Sequence, residues 1–185
     1  MSSPTVNPED LKKFGPLLIK YGYDSINTDE LQIAEPELSG KEFINKALIC
    51  EIWMEQHDKK VRKQHDQLLD SGQTEYEILK TYFDELETFM VESNYRGCPF
   101  VQTARNIKGQ EEVGIKHRIQ QHKLEVRRFF QKLCERITFN SESIAEAIFL
   151  IYMGAMSESN DMMTLEPIES GREAALTLFK KFLPA

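Results

Sequence analysis

The stretch SIAEAIFLIYMGAMSE, residues 143–158, decides how the chain must fold. Ser143 and Glu146 have capping-box spacing, and no proline interrupts the run to Glu158, so the stretch predicts a helix. Ile144, Ala145, Ala147, Ile148, Phe149, Leu150, Ile151, Met153, Ala155 and Met156 leave it almost no polar face. A helix apolar on every side has to be covered on every side. One chain of this size covers one side. A second copy is the expected cover for the other, with Ala147, Gly154 and Ala155 permitting close approach. The alternative is a central core helix of a monomer. The run is too short, and too closely flanked by Glu142, Glu146 and Glu158, to span a bilayer.

The segment after Glu158 supplies a partner. Ser159–Pro167 reads as a loop, and Ser170-Gly-Arg-Glu173 as a second capping box. Ala174, Ala175, Leu178, Phe179 and Phe182 then form an apolar stripe, which Leu183-Pro184 ends. A homodimer interface built from the two helices would use Ala147, Ile151, Gly154, Ala155, Ala175, Leu178, Phe179 and Phe182.

Upstream, every periodic segment is helical. Asn7-Pro8-Glu9-Asp10 is a helix start, followed by Leu11, Phe14, Leu17, Leu18 and Tyr21. Pro16 is expected to kink or split that helix. Thr28 caps a short helix over 29–34, stopped by Glu35-Pro36. Ser39-Gly-Lys-Glu42 opens a long helix, apolar through Met54 and charged, hence solvated, over Gln56–Asp70. Thr74–Glu92 is amphipathic, with Phe83 and Met90 on its apolar face. Phe100–Ile107 is a short helix. Glu111–Ile137 is the longest periodic segment, with His122 on its apolar stripe and Lys116, Arg118, Lys123, Arg127, Arg128, Lys132 and Arg136 outside.

Composition excludes several classes. The net charge of −7 argues against a nucleic-acid coat but leaves a local basic face open. Cys50, Cys98 and Cys134 lack zinc or CxxC spacing and suit a reducing cytoplasm. Residues 1–10 hold no basic, apolar secretion signal. Ser39-Gly-Lys41 lacks the upstream glycine of a phosphate loop. Glu51 and Glu55 share a face, but no Glu-x-x-His accompanies them. His117 and His122, five apart, do not share a face well enough for a metal. Neither catalysis, nor a metal, nor a cofactor is expected. Large soft side chains do gather at core positions of three helices. Trp53, Phe83, Met90, His122 and Phe130 are therefore candidate walls of a cavity for a small apolar effector. For His122 the plainer alternative is a satisfied core histidine.

The order of the pieces resembles a family. Lys20-Tyr-Gly-Tyr23, a Thr-capped short helix and a Ser-Gly-Lys-Glu-Phe helix start look like the N-terminal half of TetR/AcrR-type regulators. Arg96-Gly-Cys-Pro-Phe100 before Val101-Gln-Thr-Ala104 is similar to a segment common in the ligand-binding half of that family, and the Gly154-Ala155 pair matches too. The resemblance is good over Gln73–Leu183 and implies an all-α, TetR-like fold. Residues 1–46 would be a helix-turn-helix-like head, and residues 47–185 a domain that binds an effector and dimerises. The dimer would form through a four-helix interface of Ser143–Glu158 and Ser170–Leu183. Thr28 and Lys41 match positions that commonly touch DNA phosphate.

The head departs from the family where DNA would lie. Tyr23 to Ser39 is short for two helices, and Glu35-Pro36-Glu37 stands in place of the recognition helix. Residues 1–50 carry five lysines, no arginine and eight carboxylates, a net of −3. A phosphate-binding head needs the opposite sign. Two functions are therefore open: a transcriptional regulator with a contracted reading head, or an effector-binding or scaffold dimer that has lost DNA binding. A helical enzyme is a third class. The charge predicts weak or no binding to ordinary duplex DNA.

Overall fold

A computed structural model describes residues 6, 8–26, 46–107 and 112–183. Every regular element among them is an α-helix: α1 Pro8–Tyr21, α2 Lys46–Leu69, α3 Glu75–Glu92, α4 Pro99–Asn106, α5 Val113–Glu135, α6 Ser141–Met162 and α7 Glu166–Lys180. The short helix expected over 29–34, the Ser39 helix start and the Asn7 cap lie outside the described residues. The contacts divide the chain into two compact units. One holds Met1–Lys60 and Cys98–Gln121, the other Val61–Gly97 and His122–Ala185.

The first unit is built on α1. Leu11, Phe14 and Leu18 form its buried stripe, and they join Ile49, Cys50, Met54, Phe100, Ile115 and Ile119 in one core. Pro16 does not split this helix. Pro16 and Lys12 are both exposed, so the lost backbone bond faces solvent, where water can replace it. Gly22 ends the helix with a positive φ of 79°. Lys46 secures the turn beyond it. Its ammonium donates to the carbonyls of Tyr23 at 3.2 Å and Ile26 at 3.4 Å and lies 4.5 Å from the Tyr23 ring centre.

In the second unit, α6 packs along α7, and α3 packs on both. Ile78, Leu79, Phe83, Met90, Ile148, Ile168, Ala175 and Phe179 are fully buried. Arg172 of α7 ties down α3 through Asp84 at 2.7 Å and Glu87 at 2.6 Å. Thr74 and Glu77 form a reciprocal capping box at the start of α3. Hydrogen bonds from the Thr74 backbone and hydroxyl hold the Glu77 carboxyl below its ordinary range.

Two of the capping boxes read from the sequence are not used. α6 starts at Ser141, with Asn140 in the cap position. Ser143 donates to the Asn140 side chain at 3.4 Å, and Glu146 takes a two-pronged ion pair with Arg127 at 2.9 and 3.2 Å. α7 starts at Glu166, with Pro167 in its first turn, so Ser170 is interior. The expected loop from Ser159 is helical as far as Met162. Polar residues sustain that last turn: buried Ser159 donates to the Thr164 carbonyl just beyond it at 2.5 Å, and Asn160 donates to the distant Tyr95 carbonyl at 2.6 Å. The second half of α2 is also not uniformly solvated. Asp58, His65 and Leu69 are buried at helical spacing.

Candidate functional site

The second unit holds a dense aromatic cluster. His65 comes from α2, Tyr82 and Phe83 from α3, Phe129 and Phe130 from α5, and Tyr152 from α6. Tyr82 stacks on Phe129 with centroids 4.4 Å apart and meets Phe130 edge-on at 5.1 Å. Tyr152 meets Phe83 at 6.0 Å and Phe130 at 5.7 Å, both edge-on. These are favoured geometries for ring quadrupoles. Within this apolar mass the His65 Nε2 lies 3.1 Å from the Tyr82 hydroxyl. The rings of the cluster are packed against one another, and all but Tyr152 are buried.

Of the five candidate effector residues, Phe83 and Phe130 come together here around Tyr152. Met90 is fully buried near Gly97, and His122 is 8% exposed. Trp53 belongs to the first unit. It stacks on His57 at 4.7 Å and packs against Gly15 of α1. Tyr82 and Phe129 lie on aromatic faces legible in the sequence, whereas His65 and Tyr152 escaped attention. His65 sits in a charged run, and Tyr152 lies within a helix where every residue looks like core.

Three residues of the basic face of α5 meet carboxylates and a carbonyl of α2. Arg118 reaches Glu55 at 2.6 Å, Lys132 reaches Asp66 at 3.2 Å, and Arg136 donates to the Leu69 carbonyl at 2.7 Å.

On α6, Leu150 and Gly154 are exposed, while Ala147, Ile151, Tyr152 and Met153 are half-buried. A methyl at Gly154 would meet nothing within 4 Å. Ala155 faces the other way: a Cβ at Gly171 of α7 would stand 2.8 Å from the Ala155 Cβ. Ala155, Ala175 and Phe179 are buried within their own chain, whereas Leu178 and Phe182 keep partial exposure. Thr28 and Lys41 lie outside the described residues.

Cys50 and Cys134 show no reactive setting. Burial pushes the Cys50 thiol up to about 12; Glu112 and Glu51 add to the rise and Lys46 opposes it. Burial, then Glu135, pushes Cys134 up to about 12. Burial, then Cys50 and Glu112, also holds the Tyr23 hydroxyl protonated. Among the described residues no group of three His, Cys, Asp or Glu is disposed to hold a metal. No described helix is long and apolar enough to cross a membrane.

Solved structures share this arrangement along nearly the whole chain. The regulatory protein TetR from Rhodobacter sphaeroides matches with a TM-score of 0.76 at 20% identity, over 95% of this chain and 98% of its own. E. coli NemR in its reduced form matches at 0.72 and 16%, over 96% and 97%. A TetR transcriptional regulator from Legionella pneumophila matches at 0.75 and 14%, over both chains entirely. The chain has an all-α, TetR-like fold. No protein-family model and no curated protein sequence matches it.

Proposed function

We propose that this chain is a TetR-like transcriptional regulator, a cytoplasmic homodimer without catalytic activity. Residues 1–46 form its head, and residues 47–185 its effector-binding and dimerisation body. The observation that carries the proposal is the end-to-end likeness to three regulators, which leaves no large part of this chain or of theirs unmatched. The dimer face is the exposed side of α6, with Ala147, Leu150, Ile151 and Gly154, joined by Leu178 and Phe182. A mid-helix glycine with open space above it costs helix stability and serves no packing within its own chain. It fits close approach of a second helix. Light scattering tests this: a mass of one chain at micromolar concentration would overturn the dimer.

A second reading has its own support. The head carries a net charge of −3 over residues 1–50 and no arginine. Phosphate repels such a surface. On this reading the chain is an effector-binding or scaffold dimer without a DNA target. An anisotropy titration decides between the two, using DNA flanking the protein's own gene at about 0.1 M salt, where the Debye length is ~10 Å. Sub-micromolar, sequence-dependent binding supports the regulator. Its absence supports the scaffold.

A further inference from the structure

Among the described residues, three that are not glycine hold a positive φ: Asn94 at 51°, Tyr95 at 60° and Met163 at 54°. All three lie close along the chain to one hydrogen bond, in which the Asn160 side-chain amide donates to the Tyr95 carbonyl at 2.6 Å. Asn94 and Tyr95 are the central pair of the turn Ser93–Arg96, which closes as the Arg96 N–H donates to the Ser93 carbonyl at 3.2 Å. A turn with positive φ at both central residues favours Asn-Gly, because glycine alone escapes the Cβ penalty there. Asn94 suits the first place. Tyr95 stands in the glycine's place, and a bulky residue at positive φ is strained.

Bonds within the segment hold part of that strain. The Tyr95 N–H donates to the Met90 carbonyl at 2.6 Å, and the Gly97 N–H donates to the buried Ser93 hydroxyl at 3.4 Å. α6 supplies the hold from outside. Met156 and Asn160 are four apart, on one face of that helix. Asn160 grips the Tyr95 carbonyl. Met156 packs at Gly97, where an added Cβ would stand 3.4 Å from its Cγ. Gly97 is the last residue of the second unit before the chain leaves it.

We propose that Ser93–Gly97 is a strained catch that Asn160 holds closed. A movement that withdraws the last turn of α6 frees the Tyr95 carbonyl, and Tyr95 then leaves the left-handed region. The state of α6 is thereby passed to the point at which the chain leaves the second unit. The catch involves α3, α6 and the turn alone, so it stands or falls apart from the dimer, effector and DNA readings.

Melting temperatures of four variants of the full chain test it. Tyr95→Gly and Tyr95→Ala both lose the ring, and only alanine keeps the Cβ penalty. With Asn160 present, Tyr95→Gly is expected to melt about 2–4 °C above Tyr95→Ala, the reverse of their order at an unstrained position. With Asn160→Ala added to each, the turn is already relaxed, and the glycine advantage is expected to vanish. Any other contact of the Asn160 side chain is lost equally from both and cancels. A glycine advantage undiminished without Asn160 means that the turn stays closed unaided, and it overturns the proposal. So does no glycine advantage in either background, which would mean that there is no strain to release. Hydrogen exchange needs only the single variant Asn160→Ala. The Tyr95 and Arg96 amides are expected to exchange roughly three- to tenfold faster than in wild type, while the Phe83 amide in the middle of α3 keeps its rate. Unchanged exchange at Tyr95 and Arg96 overturns the proposal as well.

Discussion

A methyl group added at Gly15 would run into the Trp53 indole, so α1 sits as close to α2 as a missing side chain allows. Gly15→Ala is expected to lose about 1–3 kcal/mol, the range for overpacking a tight contact, although alanine is the better helix former. Thermal melts would check it; an unchanged or raised melting temperature would mean that the indole moves aside at no cost. The buried thiols act at the same scale. Cys50 and Cys134 ionise from an ordinary value of 9.0 when unfolded, but only near 12 when folded. A folded value above the unfolded one gives stability that is intact below pH about 9 and lost as pH rises toward 12. The protein is expected to melt progressively earlier across that window. Cys50→Ala with Cys134→Ala should flatten the slope, whatever it does to stability at pH 7. An equally steep fall in the double variant would assign the lability to other groups.

At the scale of the element, the neighbouring residues Gly154 and Ala155 serve opposite sides of α6. Gly154→Ala is expected to stabilise the isolated helix by about 1 kcal/mol while weakening self-association. Gly171→Ala should instead lower the melting temperature, because its methyl would press on Ala155. Sedimentation of the two variants beside their melts would separate the effects. Self-association of Gly154→Ala at wild-type strength would remove this face from the interface. The helices themselves were legible in the sequence, since apolar spacing identifies a helix whatever surrounds it. Their starts were less so. Ser143 and Ser170 have capping-box neighbours, yet both helices start upstream of them: Glu146 goes to Arg127 instead of a cap, and Pro167 fits an earlier first turn. The aromatic cluster was half legible. Phe83 and Phe130 lie on clear stripes, but the burial of His65 and the placement of Tyr152 depend on which helices meet, and spacing within one helix does not encode that.

For the whole molecule, the all-α architecture was readable because each segment repeats every three to four residues and none alternates. The reading of residues 143–158 as apolar all round carries a thermodynamic consequence if the exposed side meets a second copy. Association favours the folded state by mass action, so the melting temperature should rise with protein concentration over the micromolar range. A melting temperature independent of concentration, with a mass of one chain, would return α6 to the role of a monomer's core helix. The net charge of −3 over residues 1–50 belongs to this scale too, because repulsion from phosphate is a property of the summed charge and no single substitution removes it.

Trp53 is the only tryptophan in the chain, and it lies where α2 meets Gly15 of α1, stacked on His57. The molecule therefore carries an unlabelled optical reporter of its N-terminal unit. Indole emission depends on the polarity around the ring and is quenched by a charged imidazole in contact. Any shift of α1 on α2 would be visible as a change of colour or intensity, with no background from a second indole.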